Sequence, residues 1–84
     1  MEGIAAHEVV EGQIAVSTAD GREHRVLIPA GVGLPGADDE SLAVALVAEL
    51  LARGEALPEV LDVSHLLARD PGLLVAISEW LDQT

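Results

Sequence analysis

An 84-residue chain with no cysteine has neither disulfide staples nor thiolate metal sites. Fifteen acidic residues against four Arg and no Lys give a formal net charge of −11, which argues against nucleic-acid binding through phosphates and against anionic membranes. One Trp is the whole aromatic complement, so a core must be built from Leu, Val, Ile and Ala, while a 50% hydrophobic content argues against disorder.

At this length a single core only marginally outweighs chain entropy, so a homo-oligomer or a subunit of something larger is the expectation. The longest uncharged run, residues 26–37, is too short and too rich in Gly and Pro to span a bilayer. Met1-Glu2-Gly3 lacks the basic and apolar regions of a secretion signal, so a cytoplasmic location is expected. Arg without Lys, beside heavy Ala, Val, Gly and Leu usage, suggests a GC-rich bacterial genome.

Residues 4–17 and 22–28 flank Thr18-Ala19-Asp20-Gly21, where Asp-Gly signals a hairpin turn. A two-residue loop would set Val16 opposite Arg25. A three-residue loop with Gly21 in the left-handed position instead pairs Ile14 with Val26 and Val16 with His24, and places Val10, Ile14, Val16, Val26 and Ile28 on one face. The second register is preferred. Its opposite face carries Gln13, Ala15, Ser17, Glu23, Arg25 and Leu27, which suits solvent or a weakly covered surface. Gly12 marks a bulge or bend that separates a leading segment, residues 6–11, from the main strand.

Gly31-Val32-Gly33-Leu34-Pro35-Gly36 reads G-x-G-x-x-G and resembles the dinucleotide fingerprint of Rossmann folds. That fingerprint opens its helix under a pyrophosphate, whereas the helix predicted here begins after the last glycine with Asp38, Asp39 and Glu40. Three carboxylates there repel a phosphate, so a plain crossover is expected and no cofactor.

The central helix is predicted over 38–54. Asp38 is a natural N-cap, Asp39 and Glu40 complement the positive end of the helix dipole, and Gly54 suits the left-handed position after the C-cap. Leu42, Val44, Leu46, Val47, Leu50 and Leu51 cover roughly 200° of its circumference, wider than an ordinary apolar stripe. Ala45, Ala48 and Ala52 lie together on the remaining arc beside Ser41. Val44, Ala45, Ala48, Leu51 and Ala52, with Trp80, are therefore the expected interface residues.

Pro58 is read as opening a helical turn through Leu61, Asp62-Val63-Ser64 as capping a short helix through Arg69, and Asp70-Pro71 as opening a last helix to about Asp82. In that last helix Leu73, Leu74, Ile77, Trp80 and Leu81 fall within roughly 120°, an amphipathic face packed on a core. Trp80 is its anchor at the core edge.

Reactive constellations are thin. His7-Glu8-Val9-Val10-Glu11 looks like a zinc-protease motif with the second His replaced, and the segment reads as strand, so no metal is expected. Asp62, Ser64 and His65 are triad residue types whose adjacency suits capping. His24, on the apolar face, is expected to be a satisfied histidine. No catalytic, cofactor or metal residue is assigned.

The succession of strand, Asp-Gly turn, strand, Ile28-Pro29, Leu34-Pro35-Gly36 and a helix opening Asp38-Asp39-Glu40-Ser41 resembles, over roughly half of the chain, the partial RNase-H-like fold of HicB-type antitoxins. The chain departs from that pattern in lacking a third strand between the Pro-Gly and the helix, in its scarcity of aromatics and in having no basic DNA-binding tail. It is not assigned to that family.

The expected fold class is α+β: an N-terminal antiparallel β-hairpin packed on a central α-helix, followed by a short helix and a C-terminal amphipathic helix. One domain, 1–84, divides into a hairpin region (4–28), a Gly/Pro-rich crossover (29–37), the central helix (38–54) and the C-terminal helices (58–83). The expected function is a small acidic non-enzymatic protein-interaction module, self-associating or a subunit or adaptor of a larger bacterial complex. An antitoxin- or immunity-like neutraliser of a basic protein is the alternative, and a small hydrolase stands third.

Overall fold

The computed structural model describes residues 3–29 and 38–82. Crossover residues 30–37, and with them the Gly31 to Gly36 motif, lie outside the described residues.

The chain opens with β1 (Ala5–Val10) and β2 (Gln13–Ser17), an antiparallel pair joined through Glu11 and Gly12. The leading segment is thus a strand in its own right, and Gly12 reverses the chain where a bend was expected. Glycine is required there twice over. Its φ of +79° lies in the left-handed region, and a Cβ would sit 3.0 Å from the Ile28 carbonyl oxygen. The Gly12 carbonyl in turn accepts from the Ile28 N–H at 2.7 Å, tying this turn to the end of the third strand.

That strand, β3 (Glu23–Leu27), pairs antiparallel with β2 in the predicted register, Ile14 with Val26 and Val16 with His24. Gly21 has φ +85°, and Thr18 N–H to Arg22 O at 2.9 Å closes the three-residue loop. Ile14, Val16, Val26 and Ile28 are buried together as expected. Val10 is not among them. A register shift between Glu8 and Val10 inserts one residue into β1 and sets Val10 opposite Gln13, which moves it to the other face and leaves it 52% exposed.

Helix α1 (Asp39–Ala52) has the predicted ends. Asp38 is extended, its Oδ1 accepting from the Ser41 N–H at 2.8 Å, and hydrogen bonds from Ser41 hold its carboxyl below the usual carboxylate range. At the other end Gly54 has φ +75° and donates to Leu51 O, while the Glu55 N–H returns to Leu50 O. This pair of bonds is the Schellman arrangement that satisfies terminal carbonyls.

After α1 the sequence reading needs correction. Pro58 does not open a helical turn. Residues 55–59 carry no helix, and β4 (Val60–Asp62) joins β3 in parallel, Val26 beside Leu61, giving a four-stranded sheet in the order β1-β2-β3-β4. Two bonds fix this edge: Arg25 N–H to Glu59 O at 2.8 Å, and His24 Nδ1–H donating to Pro58 O at 2.7 Å. Asp62 then caps α2 (Val63–Arg69) by accepting from the His65 N–H. Asp70 does the same for α3 (Gly72–Asp82), accepting from Gly72.

The core joins Ile14, Val16, Val26 and Leu61 of the sheet to Leu42, Leu46, Val47 and Leu50 of α1, Val63 of α2, and Leu73 and Ile77 of α3. Helix α1 contacts β1 and β2 on one side and α3 on another, which explains an apolar arc too wide for a single neighbour.

Candidate functional site

Strand alternation divides the sheet into two unlike faces. The face that contains Ile14, Val16, Val26 and Leu61 is packed into the core, and the helices join the sheet through that cluster. On the other face the registers place His7, Ala15, Arg25 and Val60 in one row across all four strands, and Val10, Gln13, Leu27 and Asp62 in the next. Ala5, Ser17 and Glu23 form a third, shorter row. No described helix is packed over these rows.

This outer face is less polar than a solvated sheet surface ordinarily is. Val10 and Val60 are each 52% exposed, Leu27 is half-buried, and Ala15 is buried between its larger cross-strand neighbours His7 and Arg25. Arg25 occupies the middle. It is half-buried, and its Nη1 donates to Gln13 Oε1 at 3.4 Å. Among the described residues no carboxylate lies within ion-pairing distance of it, although the chain carries 15.

The expected interface residues divide differently. Ala45 and Ala48 are buried in the chain's own core, at 0% and 6% exposure, and present no surface to a partner. The reason is that α1 is covered from two directions, so small residues are drawn inside along with large ones. Val44 is half-buried, while Leu51 and Ala52 are exposed in the last turn. Trp80 is half-buried beside α1, its Nε1 donating to Glu49 Oε2 at 3.4 Å.

The residues with reactive side chains do not converge. His24 is buried and bonded to a backbone carbonyl. Ser64 and His65 are exposed on α2, where Asp62 serves as cap. On β1, His7 and Glu8 lie on opposite faces. Among the described residues no group of three or more His, Asp or Glu is placed to hold a metal ion, and no helix is long and apolar enough to cross a membrane.

A cleft of about 190 Å³ opens between the end of α1 and the start of α3. Leu50, Leu66 and Leu73 line it with Arg53, Arg69 and Asp70, but Arg53 is already committed to Asp70 at 2.6 Å and to Glu49 at 3.8 Å. Arg53 and Asp70 answer one another there, while Arg69 and Glu55, also in the lining, form no ion pair among the described residues. Among the described residues, the outer sheet face is the surface on which a half-buried charge and apolar side chains stand without a helix packed over them.

No protein-family model, curated protein or solved structure matches the chain.

Proposed function

We propose that this chain is a small, acidic, non-enzymatic protein-interaction module that self-associates through the open face of its sheet. The observation that carries the reading is the one-sided cover of the sheet among the described residues, which leaves Val10, Leu27 and Val60 around a half-buried Arg25. A small domain exposing apolar side chains on one face has a thermodynamic reason to bury them against another chain. Solubility alone would favour the polar alternation of an ordinary half-exposed sheet.

Sedimentation equilibrium of the wild-type chain against Val60→Asp tests this. Self-association of the wild type that the substitution abolishes, with an unchanged circular-dichroism spectrum, is the expected result. A wild type that remains monomeric at every concentration sinks the self-association reading.

A second reading draws on the charge. With 15 acids and four arginines, and only three ion pairs among the described residues, most carboxylates are left to solvent or to a partner. Such a surface suits capture of a basic protein, in the manner of an antitoxin or immunity protein, and predicts binding that weakens as salt rises.

A further inference from the structure

The self-association reading leaves open how two chains of net charge −11 come together. The outer face of the sheet carries charges of both signs: one arginine, Arg25, against two carboxylates, Glu23 and Asp62, with His7 beside them. Two copies meeting on this face can set unlike charges against one another.

We infer that a second copy of this chain packs face to face on the sheet, related by a two-fold axis that crosses β3 between Glu23 and Arg25. The inference rests on the module reading and adds the partner and its orientation. Glu23 and Arg25 are two residues apart on one strand, so their side chains leave the same face roughly 7 Å apart. Among the described residues neither side chain forms an ion pair, with the other or with any third group. A two-fold axis midway between them sets Arg25 of each copy against Glu23 of the other, and by symmetry forms the pair twice.

Several observations favour a second copy as the occupant. Arg25 is half-buried in a chain rich in acids and forms no ion pair among the described residues. Glu23 is exposed and has no ion pair among the described residues. The two missing partners are complementary and already lie on the same surface. Ala15 and Val60, in the row of Arg25, supply the apolar contact next to the axis. Exposed ion pairs contribute little net affinity, so Arg25 and Glu23 fix the register while burial of Val60 and its neighbours holds the copies together.

The test is a charge exchange followed by sedimentation on the full chain, with circular dichroism to establish that each variant folds. Arg25→Glu alone places two carboxylate pairs across the axis, and Glu23→Arg alone places two guanidinium pairs there, so each is expected to lose the dimer. Mixed in equal amounts, the two variants restore both opposite-charge pairs, and a heterodimer is expected. A wild-type dimer that Val60→Asp disrupts but the single charge variants leave intact overturns the two-fold arrangement while leaving the module reading standing. Single variants that fail to associate even when mixed also overturn it. A wild-type monomer overturns both.

Discussion

Arg53 Nη1 lies 2.6 Å from Asp70 Oδ2, so the C-cap of α1 is bonded to the residue that caps α3. Asp70 divides its two oxygens: Oδ1 accepts from the Gly72 N–H at 3.1 Å, and Oδ2 takes the guanidinium. Arg53 also approaches Glu49 at 3.8 Å, and Glu49 accepts from the Trp80 indole. A polar chain thus runs from the start of α3 across the last turn of α1 to the far end of α3.

Replacing Asp70 separates its two roles. Asp70→Ala removes both the cap and the ion pair, while Asp70→Asn keeps a side-chain oxygen able to cap and loses the charge. A larger drop in melting temperature for Asp70→Ala than for Asp70→Asn is expected. Raising salt should narrow the gap between wild type and Asp70→Asn, because this exposed pair is screened. Equal melting temperatures for the two variants would count against a capping role.

Acid should weaken the fold through the same carboxylates. The Arg53 guanidinium beside Asp70, followed by the Gly72 and Leu73 amides, lowers its carboxyl, and the Thr18 hydroxyl with the Arg22 amide lowers Asp20. Asp38 is lowered by Ser41. A depressed folded pKa means that the unfolded chain binds the proton first. The stabilisation is fully present above the unfolded value of about 4 and is lost as pH falls through the lower folded values. Urea midpoints measured from pH 6 downward should be level at first and then decline below about pH 4. The decline should be smaller for Asp38→Asn and Asp70→Asn than for wild type.

In the core, Leu46 of α1 is fully buried. Leu46→Ala should cost about 2–5 kcal/mol in chemical denaturation, a large part of the stability of so small a domain. Leu51→Ala, at an exposed position on the same helix, should change stability by no more than about 0.5 kcal/mol. A similar cost at the two positions would contradict the orientation of α1.

Gly12→Ala should cost about 1–2 kcal/mol from backbone strain alone, since φ is +79°. The close carbonyl of Ile28 makes relief harder. By contrast Gly21→Ala meets nothing within 4 Å and incurs only the strain of φ +85°. The first substitution is therefore expected to be the more damaging when both are compared by thermal melting.

His24→Ala should destabilise by about 2–4 kcal/mol, because it opens space in the core and leaves the Pro58 carbonyl without its donor. His24→Asn, which offers an N–H at a comparable place, should recover part of the loss. Hydrogen exchange can locate the damage. Faster exchange at the Arg25 amide, which bonds to Glu59 O beside this contact, is the expected signature.

What the sequence disclosed was chemistry confined to neighbouring residues. Asp38 and Gly54 mark α1 because a cap needs only its own turn, and the Asp20-Gly21 loop sets the β2–β3 register because left-handed backbone there leaves one pairing that keeps the apolar residues together. β4 is not legible in the sequence because three residues carry no period, and its parallel partner lies more than thirty residues earlier. Val10 lies on the face opposite to the one its alternation suggests because one inserted residue in β1 inverts the pattern without any mark of its own. The candidate site was half legible. Arg25 and Leu27 were read onto the weakly covered face, but the row completed by Val60 needed β4, and the burial of Ala45 and Ala48 needed the position of α3.

Trp80 is the single Trp in a chain without Tyr, and it stands at the joint between α1 and α3, packed against the core and outside the rows of the outer sheet face. Its fluorescence is accordingly a local gauge already built into the molecule. Emission should shift when α3 separates from α1, and should be silent to anything that settles on the sheet. Unfolding, ordinarily entangled with association in so small a protein, can here be followed by fluorescence of the unaltered chain while sedimentation follows association.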